Sequence, residues 1–418
     1  MNAFLYVVVP VLLFTACRRN QQEPTQPATS STADFSRYLA VGNALTAGFS
    51  NGGLYRESQL NAYPNLLAQR FQSAGGSAFV QPLFNEDQAN GSGYLQQTSG
   101  PAVAGFPALG YVSSGTAIRS RNPMLFTKYT GPAPANLGIP NLRLADLNTA
   151  GYGSAQGNPF FERLLTSGQE QTTYLDYVKA RSTGQNGHTF FTCSIGSDDV
   201  MAFVTSGGRE AITSTTTFTT HLRQLLDVLT SRQAKGVLSN LPDITTMAYL
   251  NTRTVTAMQG PNKVVVYIRT GQGVVRPATA DDLILNDADS IGLAGKTGLQ
   301  KGYFSAYPLH NEDVLDADEV KQARNAVQAF NSIIQAEATA RNLPVVDLYG
   351  LSGRLKAGLT QNGITLNTTF LTGGFYSLDG MYPTSRGYAL IANEYLSVIN
   401  KAYQSSFRAF ELTTFKGE

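Results

Sequence analysis

Four short stretches of this 418-residue chain gather the side chains able to do chemistry. Asn43 and Ala44 follow an apolar run ending in Gly42, and Asn141 closes the stretch Asn136-Leu137-Gly138-Ile139-Pro140-Asn141. Asp198 and Asp199 follow Ile195-Gly196-Ser197, while Asp379 and Tyr382 stand in Leu378-Asp379-Gly380-Met381-Tyr382-Pro383-Thr384. Carboxylates, amides and a phenol brought together can hold a cation or a neutral, sugar-like ligand, and Asn43, Asp198, Asp379 and Tyr382 are the candidate contacts. A calcium site would need about six to eight converging oxygens, and spacing alone does not assemble them. Asp87, Asp281 and Asp282 read as solvated loop charges.

Nucleophilic catalysis finds less support. Thr46 and Ser50 offer hydroxyls with no base in prospect. His188 opens an apolar run whose active end is several residues away, His221 lies in a helical stretch, and His310 lies in a long irregular region. The three lack ligand spacing, so neither a metal site nor a cofactor is expected. Cys193 sits in an apolar run without a neighbouring Lys, Arg or His, which marks a small buried hydrophobe and not a reactive thiolate.

The elements that must position these residues alternate in type. Residues 37–42 (RYLAVG), 189–195 (TFFTCSI), 236–241 (GVLSNL) and 343–348 (LPVVDL) are short apolar runs of the kind that forms buried strands. Residues 61–72 carry apolar side chains at helical spacing, with Leu60, Leu67 and Phe71 on one side, and 217–233 and 385–403 read as further helices. Asp316 and Glu319 form a capping-box signature. It opens a long helix with Val320, Ala323, Val327, Phe330 and Ile334 on its apolar face. Such alternation indicates a parallel α/β sheet. Residues 81–136 and 245–307 break the pattern, and unstructured loops of that length are uncommon unless functional. Both are expected as insertions over the C-terminal edge of the sheet, where open α/β folds bind ligands.

The segment Tyr38-Leu39-Ala40-Val41-Gly42-Asn43-Ala44-Leu45-Thr46-Ala47-Gly48-Phe49, the stretch 136–141, Ile195-Gly196-Ser197-Asp198-Asp199 and the stretch 378–384 resemble, in order, four blocks of the SGNH/GDSL hydrolases. The resemblance covers about residues 34–401. It implies a flavodoxin-like three-layer α/β/α SGNH-hydrolase fold with a mostly parallel five-stranded sheet and two long insertions. It also implies where the family's chemistry would sit: the hydroxyl nucleophile at Ala44, a backbone oxyanion donor at Asn141, a side-chain donor at Asp198, the imidazole base at Tyr382 and the orienting carboxylate at Asp379. Only Asp379 keeps the type of residue required, so the catalytic set is degenerate. Acyl transfer needs a nucleophile, a base and donors aimed at the developing oxyanion. An ionised Asp198 about 4 Å from that oxyanion would instead repel it by about 4 kcal/mol at an effective dielectric near ~20. The blander outcome is a plugged site. In it Ala44 merely closes a turn, Asp379 caps the last helix or binds backbone amides, and Tyr382 fills the space and donates to Asp198 or Asp379.

The remaining sequence bounds the setting. Charged residues make up 14% and the net charge is +2, which gives no field arguing for nucleic acid or an anionic membrane surface. Residues 4–14 are apolar but too short to span a bilayer as a helix, and residues 1–16 read as a signal peptide. Phe14-Thr15-Ala16-Cys17 resembles a lipoprotein processing box, which implies a lipidated Cys17 and a membrane anchor; the alternative is an ordinary cleaved signal with an incidental cysteine. Residues 17–33 read as a tether, 34–405 as one hydrolase-like domain and 406–418 as a C-terminal tail. The expected location is the outer membrane of a Gram-negative cell, facing the periplasm or the surface. Three functions compete. The first is a degenerate hydrolase that binds a small sugar- or acyl-containing ligand or an envelope protein. The second is an active carboxylic ester hydrolase (esterase, lipase or carbohydrate deacetylase) using non-standard residues. The third is an accessory partner of an outer-membrane transporter.

Overall fold

A computed structural model describes residues 31–100, 108–183 and 187–417; Cys17, the expected signal peptide and nearly all of the expected tether lie outside the described residues. The central ladder has four parallel strands in the order β1 (Tyr38–Gly42), β2 (Phe190–Ser194), β3 (Lys235–Ser239) and β4 (Val345–Val346). Every residue of β1 and β2 is buried, as strands covered on both faces must be.

The expected fifth strand is present only as an irregular edge. Residues 135–139 run along the outer side of β1, with hydrogen bonds from Ala40 N–H to the Ala135 carbonyl (2.9 Å), Leu137 N–H to Ala40 (2.8 Å) and Ile139 N–H to Gly42 (3.0 Å). A single parallel bridge, Ala40 with Asn136, is formed. Pro134 and Pro140 bracket the segment and lack the amide a strand needs. Gly138 is pressed so close to α1 that a Cβ would lie 2.3 Å from the Ala47 nitrogen. Counting this edge, the order in chain sequence is 2-1-3-4-5, and the reversal that opens a crevice falls between β1 and β2.

Among the described residues the helices include α1 (Ala44–Ala47), α2 (Tyr63–Phe71), α3 (Tyr174–Ser182), α4 (Asp198–Thr205), α5 (Thr215–Thr230), α6 (Ala317–Ala340), α7 (Leu348–Ala357) and α8 (Ser385–Tyr403), with four further short α-helices between them. α2 packs on α8, where Tyr63 stacks on Tyr395 at 4.6 Å. α5 packs on α3 and α6, where Phe218 stacks on Phe330 at 3.9 Å. The result is a three-layer α/β/α arrangement. α6 obeys its capping signature: the Asp316 side chain accepts from the Asp318 and Glu319 amides, and the five expected apolar positions are buried. Leu60 is 43% exposed, because it belongs to a separate short helix, Arg56–Asn61, and not to α2.

Residues 81–136 build two hairpins, pairing Tyr94–Gln97 with Leu109–Val112 and Ile118–Arg121 with Met124–Phe126. Arg163 clips this insertion to the body: its buried guanidinium donates to the carbonyls of Pro82 (2.9 Å) and Leu83 (2.7 Å) and lies 4.2 Å over the Phe84 ring. Residues 245–307 contribute most of a separate apolar core, with Val255, Val266, Ile268 and Ile284 buried in it. Asp282 is not a solvated loop charge. It is buried, pairs with Arg276 at 2.7 Å and accepts from the Ala317 amide, tying the insertion to the start of α6. The last residues do not hang free as a tail: Phe407, Phe410 and Leu412 are buried, and the Asn393 side chain bonds both polar backbone groups of Phe410. Among the described residues no helix is long and apolar enough to cross a membrane.

Candidate functional site

β1 and β2 end side by side because Gly42 has no side chain; a Cβ there would lie 2.2 Å from the Ser194 carbonyl oxygen. The chain turns at once into α1. Asn43, expected to face a ligand, is buried and donates its side-chain amide to Ser197 Oγ at 2.6 Å. Ala44 is buried behind it and brings no hydroxyl. The nearby hydroxyls are committed, Thr46 to Tyr63 (3.1 Å) and Ser50 to the Pro383 carbonyl (2.9 Å).

β2 feeds through Gly196, at φ +113°, into the two aspartates that open α4. Asp199 faces away from the crevice and accepts from the amides of Leu144 (2.7 Å) and Ala145 (3.2 Å). It thereby pins the loop that follows the sheet edge. Burial pushes its carboxyl up to about 6 against those bonds. Asp198 points the other way, into an open cleft of about 660 Å³. One of its oxygens, Oδ1, accepts from the Tyr382 hydroxyl at 3.5 Å, while Oδ2 is buried and has no partner. Burial first, then the neighbouring Asp199 charge, push the Asp198 carboxyl up to about 8; the Tyr382 hydroxyl and the backbone amides of Ala44 and Asn141 pull the other way.

The opposite wall comes from residues 141–159. Asn141 holds φ +63°, a left-handed conformation that asparagine tolerates, and its carbonyl accepts from the Tyr152 hydroxyl at 3.0 Å. Asn158 braces the same turn through Pro140 O and the Tyr152 hydroxyl. Arg143 forms a two-pronged pair with Asp146, both contacts 2.9 Å, at the cleft wall. Phe49, Met201 and Met381 supply apolar surface, and Phe49 packs edge-on to the Tyr382 ring at 5.1 Å. A second, apolar cavity of about 60 Å³ shares Met201, Met381 and Tyr382 with the cleft.

Three of the expected site residues, Asn141, Asp198 and Tyr382, therefore line one cleft. Asp379 does not. Its carboxylate accepts from the amides of Gly52 (2.7 Å), Met381 (2.7 Å) and Tyr382 (2.8 Å), so it is a clamp between two loops. Thr384, and not Asp379, caps α8. The cleft beside Tyr382 is open, and the features of the plugged reading are nonetheless present: Ala44 is buried in the turn, Asp379 binds backbone amides and Tyr382 donates to Asp198. His188 bonds the Leu229 carbonyl, and His221 that of Leu144. His310 is half exposed on its insertion, facing Glu312 at 3.8 Å. Among the described residues, the cleft is lined by no serine, cysteine or histidine, and neither insertion reaches it. No group of three or more described His, Cys, Asp or Glu side chains could hold a metal ion.

Sequence reasoning missed Arg143, Asp146, Tyr152 and Asn158. The pair Asn158-Pro159, a helix cap followed by proline at the first helical position, marked a structured turn there. The bond from Asn158 to the Pro140 carbonyl, 18 residues away in the chain, is a long-range matter.

Comparison with known proteins places residues 38–395 under a family model described as GDSL-like Lipase/Acylhydrolase. Among solved structures, the chain is similar to a lipase/acylhydrolase from Enterococcus faecalis at 11% identity, covering 89% of this chain and 98% of that one, with a TM-score of 0.34. It is also similar to an extracellular lipase from Streptomyces rimosus at 13% identity, covering 87% and 98%, with a TM-score of 0.34. No curated protein matches it.

Proposed function

The chain belongs to the GDSL-like lipase/acylhydrolase family, and we propose that it keeps the family's crevice as a binding site while lacking the means to hydrolyse an ester there. One observation carries this reading: among the described residues the cleft at the ends of β1 and β2 is lined by no Ser, Cys or His, the hydroxyl of Thr205 on its wall is given to the Met201 carbonyl at 2.9 Å, and Ala44 stands where β1 delivers the chain to it. In a serine hydrolase, losing the nucleophile or the base alone costs about 10⁶ in turnover, roughly 8 kcal/mol. Tyr382 does not substitute for a base, because burial and the Asp198 and Asp379 carboxyls hold its phenol well above the usual tyrosine range. The ligand is a small sugar- or acyl-containing molecule, met by Asp198, Tyr382 and Asn141. The protein carries it at the outer membrane, anchored through a lipidated Cys17 and facing the periplasm or the surface.

The test is hydrolysis of short and medium acyl p-nitrophenyl esters and of an acetylated sugar. The wild-type chain is expected to be silent, and the variant Ala44→Ser, Asn141→Gly, Asp198→Asn, Tyr382→His to gain measurable turnover. The left-handed φ of Asn141 favours glycine at that position. Wild-type turnover that is lost in Asp198→Asn would overturn the proposal and favour an ester hydrolase built on a carboxyl.

A second reading is favoured by the apolar side chains exposed in the 245–307 insertion, among them Val274, Leu293 and Phe304. In it the insertion docks on an outer-membrane transporter and the cleft is incidental. Pull-down from membranes with and without residues 245–307 separates the two.

A further inference from the structure

Among the described residues that line the cleft, Asp198 is the one with a buried side-chain oxygen left without a partner. The residue is only 5% exposed, so water does not compensate that oxygen freely. A buried polar atom left unpaired costs free energy that a ligand can recover. Resting on the reading of the cleft as a binding site, we propose that Asp198 meets the ligand as a neutral carboxylic acid. Its Oδ2 donates a hydrogen bond to the carbonyl oxygen of an uncharged amide or ester, and the cleft thereby selects such a ligand over an organic cation.

The groups around the carboxyl favour this form from every side. On its own helix it has Asp199, a second acid. From the 141–158 wall it meets Tyr152 and the Asn141 amide, and the only cation on that wall, Arg143, is spent on Asp146. From the 377–384 loop it meets the Tyr382 hydroxyl, behind which lies Asp379. From α1 it meets the Ala44 amide and no charge. No ion pair reaches it among the described residues, so ionisation would leave a buried charge uncompensated. The hydroxyl of Tyr382 serves Oδ1, which leaves Oδ2 as the oxygen that carries the proton and faces the ligand. The N–H groups of Ala44 and Asn141 point their positive ends at the same place, an arrangement hostile to a cation and suited to a carbonyl oxygen. The apolar surfaces of Phe49, Met201 and Met381 suit an uncharged molecule.

Butyramide, n-butylammonium and butyrate serve as probes, with binding to the full chain followed by ligand-observed NMR from pH 5 to pH 10. The Asp198 carboxyl is followed by ¹³C NMR on aspartate-labelled protein, its signal assigned by its loss in Asp198→Asn. The expected result is an Asp198 signal that titrates near 8. Butyramide affinity should fall about tenfold per pH unit above that point. Asp198→Asn, which donates at every pH, should bind butyramide with a flat profile. Asp198→Leu, with no donor, should lose binding at least about tenfold at pH 7 while keeping its melting transition. An Asp198 signal already ionised at pH 6 overturns the proposal. So does preference for butylammonium, or failure of butyramide to bind the wild type up to its solubility. Turnover of p-nitrophenyl esters by the wild type is a different failure: it removes the non-hydrolytic reading and leaves the Asp198 titration to be judged on its own signal.

Discussion

A carboxyl withdrawn from water with no cation beside it favours its neutral form, and Asp198 is in that position. Its folded value, about 8, lies above the ordinary 3.8, so between these limits the folded chain holds a proton that the unfolded chain has released. The stability tied to Asp198 is therefore complete below about pH 4 and is lost progressively as pH rises to about 8, at up to about 1.4 kcal/mol per unit. Asp198→Asn abolishes the titration. It is expected to match wild type near pH 4 and to exceed it by a few kcal/mol near pH 8, read as the shift in urea midpoint at each pH. A difference that stays constant with pH would show an Asp198 that ionises as an ordinary surface acid. Asp198, Asn141 and Tyr382 were legible in the sequence because each sits just past an element that delivers it to the crevice. Asn43 and Asp379 are committed within the protein, Asp379 to backbone amides as one of its two readings has it. Their type and spacing suited a ligand, but Ser197 and three backbone amides claim them first. Those partners come from other stretches of the chain, and no local pattern names them.

Elements with a local signature were read closely. The 385–403 helix was placed at its observed bounds, and the capping box before α6 is formed as its residue types require. Asp316 does more than cap, since its carboxylate also accepts from the Gly271 amide at 2.9 Å and so anchors the second insertion. Asp316→Ala is expected to destabilise the protein by about 1–2 kcal/mol, measured by urea denaturation, and Asp316→Asn to restore most of the loss. An unchanged midpoint in Asp316→Ala would mean that the cap is satisfied by solvent. The sheet edge was less legible. Its residues lack the β-branched run of a strand, and what holds 135–139 to β1 is a set of backbone bonds that any side chain permits.

For the whole molecule, the sequence made the layered fold readable because its strands are buried on both faces and so read as continuous apolar runs. It said little about the insertions, whose hairpins are short and whose cores are small. The insertions were expected over the crevice, yet the cleft walls come from 141–159, α4 and the 381–382 turn instead. The proposed attachment to a membrane rests on Cys17 alone. Cys17→Ser is expected to abolish lipid modification, read by intact mass, and to move the protein from the membrane to the soluble fraction; a chain that stays with the membrane would implicate another surface.

Open parallel sheets carry a hazard at their borders, where rows of unpaired N–H and C=O groups invite pairing with another chain. Neither border is available here. Beside β1, the edge segment offers Pro132, Pro134 and Pro140 in place of amide donors, and its Ala135 and Asn136 amides are already given to the Val80 carbonyl at 2.8 and 3.2 Å. At the other side, β4 is two residues long. The central sheet of one molecule therefore offers little for the central sheet of another to pair with.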